Sequence, residues 1–170
     1  MTADQAKVLA DHYANLMEGE FATTCKILAA VKDDNKAFKL DDKSRSAWEL
    51  ATHLATADIW FLDSILNGKF EWNPDGARQA EAQFKTTSDV VDFYKKAMPE
   101  RFARMRAMSP EQMTRTVDFF GFMQMPAVQL FGLANNHSIH HRGQLAANLR
   151  PMGSKVPSIY GGSADEPMRG

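Results

Sequence analysis

Three of the chain's five histidines, His137, His140 and His141, fall within five consecutive positions. On an α-helix, residues four apart lie on the same face and about 6 Å apart along the axis, so His137 and His141 can reach one ion with both imidazoles. Imidazole is a common ligand of zinc, nickel and iron. The spacing therefore predicts part of a metal site. The alternative is a pair of semi-buried histidines that are bonded to a backbone carbonyl or a carboxylate.

A helical wheel distinguishes the neighbours of this pair. The line of the pair also contains Ala134, Leu145 and Asn148. His137 and His141 are therefore expected to face the protein interior, with Gln144 on the flank of the same face. His140 is expected near the edge of that face, and Arg142 is expected to point away from it.

A third imidazole is available on an earlier predicted helix, where His53 lies on the margin of an apolar stripe. That stripe consists of Leu50, Leu54, Ala57, Phe61 and Ile65. Three neutral nitrogens on rigid helices would hold a divalent metal and leave one coordination position open, which is typical of catalytic sites. The open position could hold a water of lowered pKa or a thiolate, and the ligand set suits zinc, nickel or iron.

Several nearby residues have simpler explanations. Glu49 stands three positions after Ser46, which is the order of a capping box at a helix start. Asp58 is expected to be solvated. Cys25 lies on an apolar stripe and is expected to be a buried, unreactive thiol. Gly143 costs about 1 kcal/mol relative to alanine in mid-helix, and either close helix packing or ligand access would explain it.

Helical periodicity and end signals predict four principal helices. They cover residues 3–32, 46–67, 88–107 and 126–150. Pro99 is expected to kink or shorten the third helix. Residues 69–87 contain Asn-Pro and Asp-Gly and are expected to form a long connection, whereas residues 114–125 could be extended. The chain is expected to form one all-α domain over residues 1–170, an antiparallel-type bundle with a flexible tail at 163–170.

Composition and charge exclude several classes of protein. Hydrophobic residues make up 44% and charged residues 24%, as in ordinary soluble globular proteins. A net charge of −1 and a pI near 6.5 predict neither a nucleic-acid partner nor binding to an anionic membrane. No apolar run approaches the roughly 20 residues that span a bilayer, and the start lacks a signal peptide. With its single cysteine, the chain is expected to be cytoplasmic.

Two segments of the sequence resemble a known family. NHSIHHRGQLAANLRPMGSKVP resembles the signature of the DinB/YfiT-like family of damage-inducible proteins, which are candidate metalloenzymes, and KSRSAWELATHLATADIWFLDSIL is similar to that family's second helix. The resemblance covers most of the chain. It implies a four-helix bundle with up-down-down-up connectivity that usually forms homodimers. It also implies a metal site formed by His53, His137 and His141, with His140 as a non-ligating histidine beside them. From its position on the helix, Gln144 could hydrogen-bond a ligating imidazole or the substrate, or take part only in helix packing.

The resemblance also implies a reaction. Relatives include metal-dependent transferases that attach glutathione, mycothiol or bacillithiol, and a mycothiol-dependent maleylpyruvate isomerase. The expected function is therefore metal-dependent transfer that involves a low-molecular-weight thiol and a small-molecule substrate. The alternatives are a metal-dependent hydrolase, and a non-catalytic dimeric bundle that takes part in a stress response.

Overall fold

The computed structural model describes residues 1–168, and they are mostly helical. The elements in chain order are α1 (Ala3–Ala29), a 3₁₀ turn (Asp33–Asn35), α2 (Ala47–Asn67), α3 (Pro74–Ala82), α4 (Thr87–Arg106), α5 (Pro110–Thr114), β1 (Thr116–Phe119), β2 (Met123–Pro126) and α6 (Ala127–Leu149). The four long helices α1, α2, α4 and α6 correspond to the four predicted ones. None of the described helices is long and apolar enough to cross a membrane.

The long helices enclose one hydrophobic core. Helix α2 packs against α6 and α4, and α1 packs against the same two helices. The largest fully buried side chains of the core include Ile27, Leu28, Leu54, Leu62, Ile65, Met98, Met105, Leu130, Phe131 and Leu145. Because α2 and α6 are direct neighbours, residues on their facing sides can form one site.

The start of α2 follows the predicted capping box. The Ser46 hydroxyl accepts a hydrogen bond from the Glu49 amide at 3.1 Å, and the Glu49 carboxylate accepts one from the Ser46 amide at 2.7 Å. Gly68 ends the helix in the left-handed region, with φ of 78°. These two signals fix the segment that carries His53.

Part of the buried face of α1 consists of small residues. Val8 is 71% exposed, whereas Ala10 and Ala14 are fully buried. A β-carbon added at Gly132 of α6 would lie only 2.6 Å from the Tyr13 hydroxyl oxygen, so α1 and α6 approach closely. Small residues permit that approach.

Two further expectations about the elements are wrong. Residues 69–87 contain helix α3, because Asn73 caps the amide of Gly76 at 3.0 Å and Pro74 occupies the first turn, where proline is favoured. Pro99 is exposed and does not shorten α4, which continues to Arg106. Buried residues before and after Pro99 hold that helix against the core.

Residues 114–125 contain the predicted extended structure. Strands β1 and β2 pair antiparallel, with Val117 opposite Met125. The turn between them places Phe120 and Gly121 at positive φ, and the Asp118 carboxylate accepts a hydrogen bond from the Gly121 amide at 3.1 Å. The described chain is therefore mostly helical with a two-stranded hairpin before α6.

Arg142 is buried, which corrects the expectation that it points away from the interior. Its side chain is 1% exposed, forms an ion pair with Glu20 of α1, and donates a hydrogen bond to the Tyr160 hydroxyl at 2.7 Å. Tyr160 in turn donates to Glu20 at 3.0 Å. The helical wheel failed here because α1 and the segment after α6 cover the second face of α6.

Part of the predicted flexible tail makes defined contacts. The Asp165 carboxylate accepts hydrogen bonds from the Arg150 side chain at 2.8 Å and from the Val156 amide at 2.9 Å. Residues 169–170 lie outside the described residues. The flexibility of residues 163–170 stays a prediction.

The buried ion pair of Arg142 leads to a test of stability. We expect Arg142→Ala to lower the free energy of unfolding by about 3 kcal/mol, because it leaves the Glu20 carboxylate without its buried partner. Arg78→Ala is the control, since Arg78 and Asp75 form an ion pair with side chains 72% and 75% exposed, and its loss should stay below about 1 kcal/mol. Urea denaturation of the metal-free proteins measures both. Equal losses would contradict a structural role for Arg142.

Candidate metal centre

Helices α2 and α6 bring the three predicted histidines together. One ring nitrogen from each of His53, His137 and His141 lies within 4.8 Å of the other two. The ring centroid of His53 lies 5.4 Å from that of His137 and 4.7 Å from that of His141. A zinc–imidazole bond is about 2.0–2.1 Å long. Small side-chain rotations would therefore let the three nitrogens reach one ion. The cluster could therefore hold a metal ion.

Burial keeps these imidazoles neutral. Desolvation lowers the pKa of His53 to about 3 and that of His137 to about 4. It also lowers the pKa of His141. The positive charge of Arg45 adds to the shift at all three positions. The histidines are therefore unprotonated near neutral pH, which is the form that binds a metal.

Neighbouring oxygens orient two of the rings. Glu81 Oε1 lies 3.4 Å from His53 Nδ1, and Gln144 Oε1 lies 2.7 Å from His141 Nδ1. When each Nδ1 donates its proton to that oxygen, Nε2 is left with a free lone pair for an ion. The Nδ1 atom of His137 is buried and has no hydrogen-bond partner among residues 1–168. An unpaired buried nitrogen beside two oriented imidazoles fits a metal ligand.

Glu81 was missed by the sequence analysis. It lies on α3, within the segment that was expected to be a connection, 28 residues from its contact His53 in the chain. Burial raises the pKa of its carboxyl group. The signal that could have revealed the helix was Asn73 followed by Pro74, a cap and a first-turn proline.

The other candidates near α6 occupy different positions. His140 is exposed, with its ring centroid 5.0 Å from that of His141. Gln144 is exposed as well, although its side chain contacts His141. Gly143 is exposed, and a β-carbon there would meet no atom within 4 Å, so close packing against a neighbouring helix does not explain it. Cys25 is buried as predicted, and burial raises the pKa of its thiol.

Asp58 is buried beneath the histidines, which corrects the expectation that it is solvated. It is 2% exposed, and its Oδ2 accepts hydrogen bonds from the Tyr94 hydroxyl and the Ser138 hydroxyl, both at 2.9 Å. Burial raises its pKa to about 7, against the opposing effect of the two hydrogen bonds. Ser138 is adjacent to His137, so this carboxyl group ties α2 and α4 to the α6 segment that carries the cluster.

Two pockets border the histidines on different sides. The first has a volume of about 440 Å³ and is bordered by His53, His137 and Glu81, with an apolar wall that includes Trp60 and Trp72. The second, of about 580 Å³, borders His141 and is lined by Lys43, Ser44, Arg45, Gln144 and Asn148 among others. The cluster therefore borders one mainly apolar pocket and one pocket whose walls mix apolar residues with cationic and hydrogen-bonding ones.

Comparisons with known proteins agree with this architecture. The family model described as the DinB family matches residues 3–168. The uncharacterized protein YrdA of Bacillus subtilis is 26% identical over 158 residues, which cover 92% of this chain and 90% of YrdA. A crystal structure of a DinB-like protein from Bacillus cereus is similar with a TM-score of 0.73 and 23% identity, over 88% of this chain and 97% of that one.

A structure with a named activity shares the fold at greater distance. The crystal structure of the mycothiol-dependent maleylpyruvate isomerase matches with a TM-score of 0.57 and 12% identity, over 89% of this chain and 66% of the isomerase. At this identity the likeness concerns the fold alone.

The pKa shifts of the site give opposite pH effects on stability. His53 and His137 have folded pKa values below their ordinary 6.5, so the unfolded chain binds more protons below that pH and stability is lost as the pH falls. Asp58 has a folded pKa of about 7, above its ordinary 3.8, so its contribution is lost as the pH rises between those values. The two effects oppose each other between about pH 4 and pH 6.5.

We therefore expect Asp58→Asn to make the acid loss of stability steeper. The variant removes one proton that the folded state binds. This changes the slope of the free energy of unfolding against pH by about 1.4 kcal/mol per pH unit. The measurement is urea unfolding in the presence of a chelator between about pH 5 and about pH 6.5. Asp75→Asn, the same change at an exposed position, is the control. An unchanged slope in Asp58→Asn would show that Asp58 takes up no proton on folding.

Proposed function

The chain belongs to the DinB family, and on that premise we propose that it is a metal-dependent enzyme that transfers a low-molecular-weight thiol to a small electrophilic substrate. The observation that carries the proposal is the cluster of His53, His137 and His141, with ligand atoms within 4.8 Å of one another. Three neutral nitrogens suit zinc, nickel or iron. The proposed ligands are these three residues.

We also propose a helix topology, an oligomeric state and a cellular location for the protein. The four long helices follow the up-down-down-up order of a DinB/YfiT-like bundle in one domain over residues 1–170. The protein forms a homodimer in the cytoplasm and takes part in a stress response. Two rigid helices then hold the ligands while connecting segments supply the surrounding groups.

The chain's own residues have distinct tasks in the transfer. A divalent ion in this cluster would lower the pKa of a bound thiol or water, which is the chemistry that the ion supplies. Glu81 and Gln144 hold the rings of His53 and His141 in the ligating tautomer. Trp60 and Trp72 form an apolar wall that excludes water and accommodates the hydrophobic part of the electrophile.

The pocket with Trp60 and Trp72 in its wall is called the aromatic pocket below. Glu81 is the group there that is best placed to move a proton. Burial raises its pKa, which makes it a stronger base than a solvated carboxylate. In the proposed transfer the thiol sulfur forms a bond to the electrophilic carbon, the leaving group departs with its electron pair, and Glu81 takes the thiol proton. The name of the structurally similar isomerase, which is mycothiol-dependent, supports a thiol as the nucleophile.

Metal-dependent hydrolysis is the second candidate function. Glu81 favours it, because a carboxylate beside an open metal position can take a proton from water as well as from a thiol. The two candidates differ in the nucleophile and share the ligands.

Metal content tests the three-histidine site. We expect the untagged protein to hold about one divalent ion per chain, and alanine at His53, His137 or His141 to abolish stoichiometric binding without unfolding the helices. Elemental analysis and circular dichroism measure the two properties. His140→Ala is the matched control, since His140 is exposed and outside the cluster, and it should retain the metal. Absence of metal after supplementation at neutral pH would rule out the site.

A panel of thiols and electrophiles tests the reaction. We expect Glu81→Gln to lower kcat for thiol transfer about 100-fold, as loss of a general base does, while metal content is retained. Glu71→Gln is the control, because Glu71 borders the same pocket but its side chain is 71% exposed. Ester hydrolysis without any thiol requirement would favour the second candidate. Holoprotein that is inactive in both assays would favour a non-catalytic role.

A further inference from the structure

The histidine cluster borders two pockets with different walls. His53 and His137 border the pocket whose walls include Trp60 and Trp72. His141 borders the second pocket, which is lined on its polar side by cationic and hydrogen-bonding residues. These polar residues are Lys43, Ser44, Arg45, Gln144 and Asn148. A ligand that reaches the cluster from the second pocket passes two positive charges.

Arg45 differs from the other arginines that the structure describes. Each of the others donates a side-chain hydrogen bond to a carboxylate, a hydroxyl, an amide oxygen or a backbone carbonyl; they are Arg78, Arg101, Arg104, Arg106, Arg115, Arg142 and Arg150. Within residues 1–168, Arg45 makes no side-chain hydrogen bond or ion pair, and the same is true of the Lys43 ammonium group. Two cations without partners face one pocket beside His141.

The charges around the cluster favour an anionic ligand. Three neutral imidazoles would leave both charges of a divalent ion uncompensated, and Arg45 lines the same pocket as His141. Carboxyl groups near the cluster include Glu81, which contacts His53, and Glu49, which lies 3.9 Å from Lys39. The buried Asp58 accepts a hydrogen bond from Ser138, next to His137. An anion supplied by the ligand would reduce the remaining positive charge.

We propose that the second pocket, called the basic pocket from here on, binds a carboxylate of the thiol. Arg45 is the main contact, and Lys43 and Ser44 lie beside it. Guanidinium matches a carboxylate with two parallel hydrogen bonds, which an ammonium group does not. The thiol end then reaches the histidine cluster past His141, and the electrophile approaches from the aromatic pocket. This inference rests on the proposed function and adds to it the substrate class, an acidic thiol.

The test uses the full chain loaded with Co²⁺, because thiolate ligation adds a strong near-ultraviolet absorption band. Mercaptosuccinate and 2-mercaptoethanol are the probes, one with carboxylates and one without. We expect Arg45→Gln to weaken mercaptosuccinate binding about tenfold or more, the effect of losing a charged hydrogen bond, and to leave 2-mercaptoethanol binding unchanged. Arg45→Lys should restore part of the affinity. Arg78→Gln, at an exposed arginine that lines neither pocket, should change neither.

The outcomes separate this inference from the proposed function. If the protein holds metal but Arg45→Gln weakens both thiols equally, or neither, the acidic-thiol site is wrong and the metal site stands. If no metal is held, succinate is titrated against the metal-free chain by calorimetry. Binding that depends on Arg45 would then support an anion site in the basic pocket, although the metal proposal fails. Absence of that binding would overturn both.

Discussion

The buried hydrogen bond between α6 and α2 is the contact on which the histidine cluster depends. Asp58 of α2 accepts from Ser138 of α6 at 2.9 Å, and Ser138 is adjacent to His137. A slip of one helical turn moves a residue about 5.4 Å, which exceeds the 4.8 Å that encloses the three ligand atoms. The Tyr94 hydroxyl binds the same oxygen from α4. One carboxyl group therefore fixes the relative position of three helices, and its raised pKa reflects the cost of burying it.

A second polar contact holds α6 one turn further along the same face. Arg142 is buried against Glu20 of α1 and against Tyr160 in the segment after α6. Ser138 and Arg142 are four residues apart in α6, so both polar contacts hold one face of the helix at positions one turn apart. A helix held at two such positions has little freedom to rotate about its axis. The directions of His137 and His141 are then set by packing before any ion binds.

The sequence allowed much of the frame to be predicted, because that information is local. The capping box at Ser46, the stop at Gly68 and the four-residue spacing of His137 and His141 are each contained within one helix. The addition of His53 needed the family resemblance as well as its helical position. The burial of Arg142 and Asp58 could not be read from one helix, since it depends on which neighbours cover each face. Glu81 was missed for the same reason, with the added failure to recognise α3.

The residues around the histidine cluster come from two kinds of segment, the long helices and the connections between them. The three proposed metal ligands lie on α2 and α6, which pack against each other and against the core. Glu81 lies on the short helix α3, and Arg45 precedes α2 in the segment that follows α1. Changes in connecting segments disturb a packed core less than changes in its helices do. The bundle can therefore keep the arrangement of the three histidines while its connections alter the carboxylate and the positive charge beside them. Shared fold with a distant isomerase is then compatible with a different substrate.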